Sequence, residues 1–225
     1  MTIRYICVDG SDGLGKTTQI KLLREELERR GLKVHSTRLL GGDGKDPFQL
    51  ALREVLLSDK FPTDEVMLEE TLFAMSDLEG LRAAAKFLAD NPGGVVLKDR
   101  GVASHVAYAR SKGMADDDIW SVHSRVLQME RHVAEIFGGC NLIMVPNDVG
   151  WVLERIAARS LEDGTPVLER LENEDTQRSV VSAMRHMPSN PLVDGIPFEV
   201  IEVEKLDSVE AVQARIVAAL SIRGA

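Results

Sequence analysis

The sequence predicts an α/β fold with three layers, in which helices cover both faces of a five-stranded parallel sheet. Short apolar runs of strand length alternate with longer stretches of helical periodicity along all 225 residues. Buried apolar strands separated by helices are typical of parallel sheets covered on both sides. The sequence contains no Pro- or Ser-rich linker and no internal repeat, so we expect a single domain over residues 1–225.

The elements alternate in a regular order. Apolar runs predict strands at 3–8, 33–38, 95–97, 141–145 and 198–203. Helical periodicity predicts helices near 19–30, 48–57, 63–89, 102–112, 116–137, 149–159, 168–186 and 209–220. Gly31 ends the first helix, the turn at 91–94 precedes the third strand, and a polar break is predicted at 162–166.

Composition excludes several classes of protein. The net charge of −9 argues against a protein that coats nucleic acid. Cys7 and Cys140 lie in apolar runs and are expected to be core thiols in a reducing compartment. No run approaches the ~18 apolar residues of a membrane span, and we expect no signal peptide. We therefore expect a cytoplasmic protein with no membrane or nucleic-acid partner.

A glycine-rich segment, GSDGLGKTT at 10–18, follows the first predicted strand and precedes the first helix. It matches G-x-x-x-x-G-K-T, the phosphate-binding loop, in the strand–loop–helix context that this motif requires. Glycines let backbone N–H groups converge on an anion, the lysine adds a charge, and the threonine hydroxyl is a natural Mg²⁺ ligand. The motif predicts a P-loop NTPase fold with its first strand in mid-sheet. The predicted ATP-binding residues are Gly10, Ser11, Asp12, Gly13, Leu14, Gly15, Lys16, Thr17 and Thr18.

Four further stretches narrow the choice among P-loop proteins. They are TRLLGGD at 37–43 with LREVLLS at 52–58, LFAMSD at 72–77, VVLKDRGVASHVAY at 95–108, and LERIAAR at 153–159 with LERLE at 168–172. In order and spacing they resemble the thymidylate kinase family of nucleoside monophosphate kinases, from Tyr5 to about Met187. The resemblance implies ATP-dependent phosphorylation of a deoxynucleoside monophosphate, in the first instance dTMP to dTDP. One of the long helices at 63–89 and 116–137 is expected to pair two chains in a homodimer.

The resemblance also implies a set of acceptor-binding residues: Asp12, Arg38, Phe73, Asp77, Arg100, Ser104, His105 and Tyr108. Arg38 and Arg100 match arginines that bind the acceptor phosphate, for which a guanidinium is suited because it can make bidentate bonds. Phe73 matches the aromatic residue that stacks on the base. Tyr108 matches the ring that crowds the sugar 2′ position, and Asp12 an acid that faces the 3′-hydroxyl.

Catalytic and metal-binding residues follow from the same comparison. Asp99 follows the third predicted strand and, with Thr17, is expected to hold Mg²⁺. Position 13 is glycine, whereas one branch of the family has an arginine there. The arginine that stabilises the transition state is therefore expected from a lid at about 155–168, so the predicted catalytic residues are Lys16, Arg100, Arg155 and Arg159.

Two departures from the family pattern concern the acceptor base. The family arginine that donates to the O4 carbonyl of thymine is replaced by Asp77 or, with a one-residue shift of the alignment, by Leu78. Gly101 replaces an aromatic residue, and we expect it to leave space near the acceptor. An acceptor group at 77 would favour a base with an exocyclic amine, so dCMP, a 5-substituted pyrimidine or an amine-bearing purine deoxynucleotide stays an alternative to dTMP.

Two other classes use the same core. A deoxynucleoside kinase would use an acid such as Asp99 as a base towards a hydroxyl acceptor. The pair Arg38 and Arg100 argues against it, because an uncharged nucleoside offers no anion to bind. A P-loop ATPase without an acceptor is the non-kinase alternative.

Overall fold

The computed structural model of the protein describes residues 3–56, 58, 65–163 and 173–224. Within these residues the sheet consists of β1 (Tyr5–Gly10), β2 (Val34–Arg38), β3 (Val95–Asp99), β4 (Gly139–Pro146) and β5 (Phe198–Val203). The strands are parallel and lie in the order β2-β3-β1-β4-β5. The predicted five-stranded parallel sheet with the first strand in mid-sheet is therefore confirmed.

Helices cover both faces of this sheet. They are α1 (Lys16–Arg29), α2 (Pro47–Leu56), α3 (Val66–Asp90), α4 (Val102–Ser111), α5 (Asp116–Phe137), α6 (Gly150–Asp163), α7 (Glu174–Arg185) and α8 (Val209–Gly224). One core lies between the sheet and α3, α4, α5 and α7. The other lies between the sheet and α1, α6 and α8, so the three-layer α/β/α arrangement is confirmed.

The alternation of side chains along β1 explains why both faces are covered. Tyr5 and Cys7 point into the first core, whereas Ile6 and Val8 point into the second. All four are at most 3% exposed, so the strand is apolar on both sides rather than on one. Cys140 lies in the second core and, like Cys7, is a buried free thiol.

Several helix boundaries differ from the prediction, among them the end of α6 and the start of α7. Helix α6 continues to Asp163 instead of ending at 159, because Ser160, Leu161 and Glu162 do not break a helix. Helix α7 begins at Glu174, where the Asn173 side chain accepts a hydrogen bond from the Thr176 N–H and caps the helix. The segment at 168–172, predicted to belong to this helix, lies outside the described residues.

The register of the sheet brings two functional segments together. Val8 of β1 is opposite Asp99 of β3, so the loop after β1 and the turn after β3 leave the sheet side by side. The start of α4 and the start of α1 therefore face the same edge of the sheet. None of the helices in the described ranges is long and apolar enough to cross a lipid bilayer.

Candidate active site

The loop between β1 and α1 follows a path that requires glycine. Gly10 has φ +147°, and a Cβ there would lie 2.5 Å from the Met144 carbonyl oxygen. Gly13 has φ +76°, and a Cβ there would lie 3.1 Å from the Val152 carbonyl oxygen of α6. Residues other than glycine rarely adopt these backbone conformations. Glycine at 13 thus allows α6, the helix that carries the predicted lid arginines, to pack directly against the loop.

Lys16 lies at the start of α1 with its side chain folded over the loop. Its Nζ donates to the Ser11 carbonyl oxygen at 2.7 Å, and the residue is 7% exposed. Burial and the charge of Arg100 lower the pKa of Lys16 to about 8, although Asp12 opposes the shift. An anion in the loop would bring a second negative charge to this ammonium and so stabilise its charged form.

A first cleft of about 490 Å³ opens over this loop. Five of the predicted loop residues line it, namely Asp12, Gly13, Gly15, Lys16 and Thr17. Arg155 and Arg159 of α6 also line it, and the Arg155 guanidinium lies 4.8 Å from the centroid of the Trp151 ring. The cleft therefore combines a glycine-rich loop at a helix start with several cations, which suits a polyphosphate.

Four other loop positions do not line this cleft. Ser11 and Leu14 are buried, and Leu14 packs in the second core. Gly10 ends β1 and offers its carbonyl oxygen to Arg100, while Thr18 is exposed on α1. These four residues therefore shape the loop or belong to the start of the helix, and they do not line the cleft.

Thr17 and Asp99 line this cleft side by side and can hold a divalent cation. The Thr17 hydroxyl donates to the Asp99 carboxylate at 3.3 Å, and both residues line the first cleft. Hydroxyl and carboxylate oxygens are ligands that Mg²⁺ accepts, so the donor set fits this ion.

A second cleft of about 300 Å³ lies beside the first, between α3 and α4. Six of the eight predicted acceptor residues line it: Asp12, Phe73, Arg100, Ser104, His105 and Tyr108. Asp12, Arg100 and Arg159 line both clefts. A ligand in one cleft would therefore meet a ligand in the other at these three side chains.

Arg100 and Asp12 form an ion pair at the junction of the two clefts. Arg100 also donates to the Gly10 carbonyl oxygen at 2.9 Å, and Tyr108 donates its hydroxyl proton to Asp12 at 2.9 Å. Burial raises the pKa of Asp12, but Arg100 and Lys16 outweigh it and lower the pKa to about 2. Arg100 has φ +67°, an uncommon backbone conformation that is found preferentially at functional sites.

Asp9 holds this junction in place and was missed by the sequence analysis. It is fully buried at the end of β1, and its Oδ1 accepts from the Gly101 N–H at 2.9 Å and the Ser104 N–H at 3.0 Å. The Ser104 hydroxyl donates to the same oxygen at 2.5 Å. A carboxylate inside an otherwise apolar strand is the sequence feature that could have revealed it, because such a group must find donors.

The structure does not bring Arg38 or Asp77 to the second cleft. Asp77 is 2% exposed, and its carboxylate is bound by Lys98 at 2.8 Å and by His105 Nε2 at 2.9 Å. Arg38 is exposed at the end of β2, where its charge, together with burial, lowers the pKa of Arg53. Arg53 of α2, not Arg38, lines the cleft.

The expectation that Gly101 leaves space near the acceptor was wrong. A Cβ on Gly101 would lie 2.6 Å from Cys7 Sγ and 2.9 Å from the Glu130 carboxylate. Both of these residues are fully buried behind β3 and α4. The missing side chain would therefore point into the core, where Glu130 already occupies the space.

Charged residues of the second cleft also escaped the sequence analysis. Lys112 donates to Glu69 at 2.6 Å and to Glu70 at 2.7 Å, and its ammonium lies 5.3 Å from the centroid of the Phe73 ring. Glu70 is bound on its other oxygen by His123 at 2.9 Å. No local pattern marks these residues, because they come from α3, from the residue that follows α4 and from α5. Within the described ranges, Glu70, His105 and His123 also lie close enough together to hold a metal ion.

Together these features define a class of protein, a P-loop phosphotransferase with adjoining sites for two anionic ligands. The chain belongs to the thymidylate kinase family, whose model matches residues 8–187. A thymidylate kinase of Bradyrhizobium sp. (strain ORS 278) is 33% identical over 76% of this chain and 70% of its own length. One from Pelobacter propionicus is 31% identical over 95% of this chain and 92% of its own. The predicted family is confirmed, and the chain is a phosphotransferase of the nucleoside monophosphate kinase class.

A solved structure has the same fold. The thymidylate kinase of Ehrlichia chaffeensis aligns with a TM-score of 0.66 at 20% identity, over 98% of this chain and 100% of that one. At this level of identity the likeness concerns the fold.

Proposed function

We propose that the protein transfers the γ-phosphoryl group of ATP to dTMP and releases ADP and dTDP. The observation that supports this most strongly is the sharing of Asp12, Arg100 and Arg159 by the two clefts. A shared wall holds two phosphate chains end to end, and in phosphoryl transfer this positioning supplies much of the rate enhancement.

ATP would occupy the first cleft, with its phosphates on the loop N–H groups and Lys16. Thr17 and Asp99 would hold Mg²⁺, which neutralises charge on the phosphates. The Lys16 ammonium, now bound to the Ser11 carbonyl oxygen, would exchange that neutral partner for a charged one. A charge-assisted bond is the stronger of the two, so phosphate binding favours the exchange.

dTMP would occupy the second cleft, with its phosphate towards the first. Arg100 is oriented for this role by Gly10 and Asp12, and Arg53 supplies a further cation from the opposite wall. Phe73 offers a ring face on which the base can stack. Tyr108, bound to Asp12, would lie beside the sugar.

Charge on the transferring group would be stabilised by Arg155 and Arg159 from the lid at about 155–168. Of this lid, residues up to 163 belong to α6, and 164–168 lie outside the described residues. A general base is unnecessary, because the attacking phosphate oxygen is already an anion. We propose one kinase domain with this lid, acting as a homodimer in the cytoplasm.

The test is a coupled ADP-release assay across nucleoside monophosphates and free deoxynucleosides. We expect dTMP to exceed all other acceptors at least about tenfold in kcat/KM, and thymidine to be inactive. Lys16→Ala should abolish turnover. Arg155→Ala and Arg159→Ala should each lower kcat about 10³-fold, because an arginine that stabilises charge on the transferring group contributes about this much. Lys21→Ala, an exposed lysine of α1, is the matched control. Wild-type-like turnover by folded Lys16→Ala, or thymidine as the preferred acceptor, would contradict the proposal.

A further inference from the structure

We propose that His105 selects the acceptor base by accepting a hydrogen bond at Nδ1 from N3–H of thymine, and that Asp77 is the positioning residue that fixes the required imidazole tautomer. The proposal rests on the proposed function and deepens it, because it names the atom of the base that is read. It also assigns a role to Asp77, which the structure keeps out of the cleft.

The first step concerns the ring nitrogen that faces Asp77. His105 Nε2 lies 2.9 Å from Asp77 Oδ2, and both side chains are 1% exposed. Lys98 binds the same carboxylate and also Glu130, so Asp77 has a fixed orientation. The Lys98 ammonium lies 2.8 Å from Asp77 Oδ1, and a positive charge this close in a buried site favours the ionised carboxylate. An ionised carboxylate can only accept, so Nε2 must carry the proton.

The second step concerns the other nitrogen. A neutral imidazole with its proton on Nε2 has a lone pair at Nδ1. Within the described ranges Nδ1 of His105 has no hydrogen-bond partner, although the residue lines the second cleft. The neighbouring His123 ring lies 4.5 Å away between centroids, tilted by 42°, and its Nε2 is bound to Glu70. In a neutral ring Nδ1 is therefore an acceptor on a residue that lines the cleft, and the buried Asp77–Lys98 pair fixes the ring through Nε2.

The third step concerns the base. With N1 used by the glycosidic bond, the N–H group left on thymine is N3–H. Cytosine has a lone pair at the same ring position. An acceptor at Nδ1 therefore matches thymine and opposes cytosine, and an unmatched buried polar pair reduces kcat/KM roughly tenfold or more. Asp77, an acceptor, thus acts on the base through His105, and the acceptor that His105 presents favours thymine.

The kinetic test changes the tautomer without removing the histidine. In Asp77→Asn the amide oxygen can still accept from Lys98, so the amide N–H₂ faces Nε2 and forces the proton to Nδ1. We expect kcat/KM for dTMP to fall and that for dCMP to rise, chiefly through KM, so that their ratio falls about tenfold or more. Glu130→Gln alters the other partner of Lys98 and leaves the His105 bond intact, so its dTMP/dCMP ratio should match the wild type.

Two measurements on the wild-type protein keep the proposal testable if Asp77→Asn does not fold. In ¹⁵N NMR at pH about 8, His105 should be protonated at Nε2, and its Nδ1 resonance should move when dTMP binds. 3-Methyl-dTMP, which lacks the donor, should lose about tenfold or more in kcat/KM. Protonated Nδ1 in the free protein, full activity with 3-methyl-dTMP, or an unchanged ratio in folded Asp77→Asn would overturn the proposal. Wild-type protein inactive on dTMP would instead reject the proposed function.

Discussion

Glu70 is an acid that the folded protein keeps ionised in a nearly dry site. It is 2% exposed and accepts hydrogen bonds from Lys112 and His123. Burial opposes ionisation, but these two partners outweigh it and lower the pKa of Glu70 to about 2. Because the folded pKa lies below the unfolded one, the ionised group stabilises the protein above the unfolded pKa of ~4.3, and this stability is lost as the pH falls through the folded pKa.

Glu70→Gln should therefore lower the free energy of unfolding at neutral pH and make it depend less on pH in the acid range. The shift corresponds to about 3 kcal/mol, so the difference in unfolding free energy from the wild type should shrink by up to that amount between about pH 5 and pH 2. Urea unfolding at a series of pH values measures it. Glu79→Gln, on the exposed side of the same helix, is the control and should give a small, flat difference. A difference for Glu70→Gln that does not change with pH would contradict the argument.

Residue identity alone could not locate Asp77 or Gly101 in three dimensions. Aligning motifs correctly predicted that residues near 77 and 101 approach the acceptor site. It could not predict that Asp77 of α3 binds Lys98 of β3, or that the Cβ direction of Gly101 leads to Glu130. These outcomes depend on pairs separated by more than twenty residues along the chain, which no local pattern records.

Helix α3 has an apolar surface that the described chain leaves exposed. Leu68 and Met75 are 46% and 44% exposed. They lie seven residues apart, about two helical turns, so they are on the same side of the helix. A homodimer would bury such a surface.

The dimer proposal is therefore tested on this helix. Sedimentation equilibrium should give a dimer for the wild type and a monomer for Leu68→Glu combined with Met75→Glu. Val209→Glu makes the same change at a 44% exposed position of α8 and should remain dimeric. A monomeric wild type, or a double variant that stays dimeric, would show that this surface does not pair two chains.

At the level of elements, the sequence predicted the strands well because each is an apolar run bounded by turn residues. It predicted helix ends less well, since Ser160–Glu162 have no strong helix-breaking residue. Three residues of α4 that line the second cleft could be predicted: Ser104, His105 and Tyr108. They follow the Asp99–Arg100 pair closely in the sequence and lie on a single helix.

At the scale of the whole molecule, the cleft next to β1 can be predicted from the sequence more fully than the cleft beside it. The glycine-rich loop requires a strand–loop–helix unit, and mid-sheet placement follows from the fold. The first cleft could therefore be predicted almost residue by residue. The second cleft collects Arg53 of α2, Glu70 of α3 and Lys112 from the end of α4, and their meeting depends on the order β2-β3-β1, which local sequence does not encode.

The central claim is that two nucleotides lie end to end across Asp12 and Arg100. The most direct measurement is calorimetric binding of an analogue in which adenosine and thymidine are joined 5′ to 5′ by a polyphosphate chain. We predict one analogue per chain, bound more tightly than ATP or dTMP alone and displaced by either. An analogue that is displaced by ATP alone, while dTMP still binds beside it, would contradict the account.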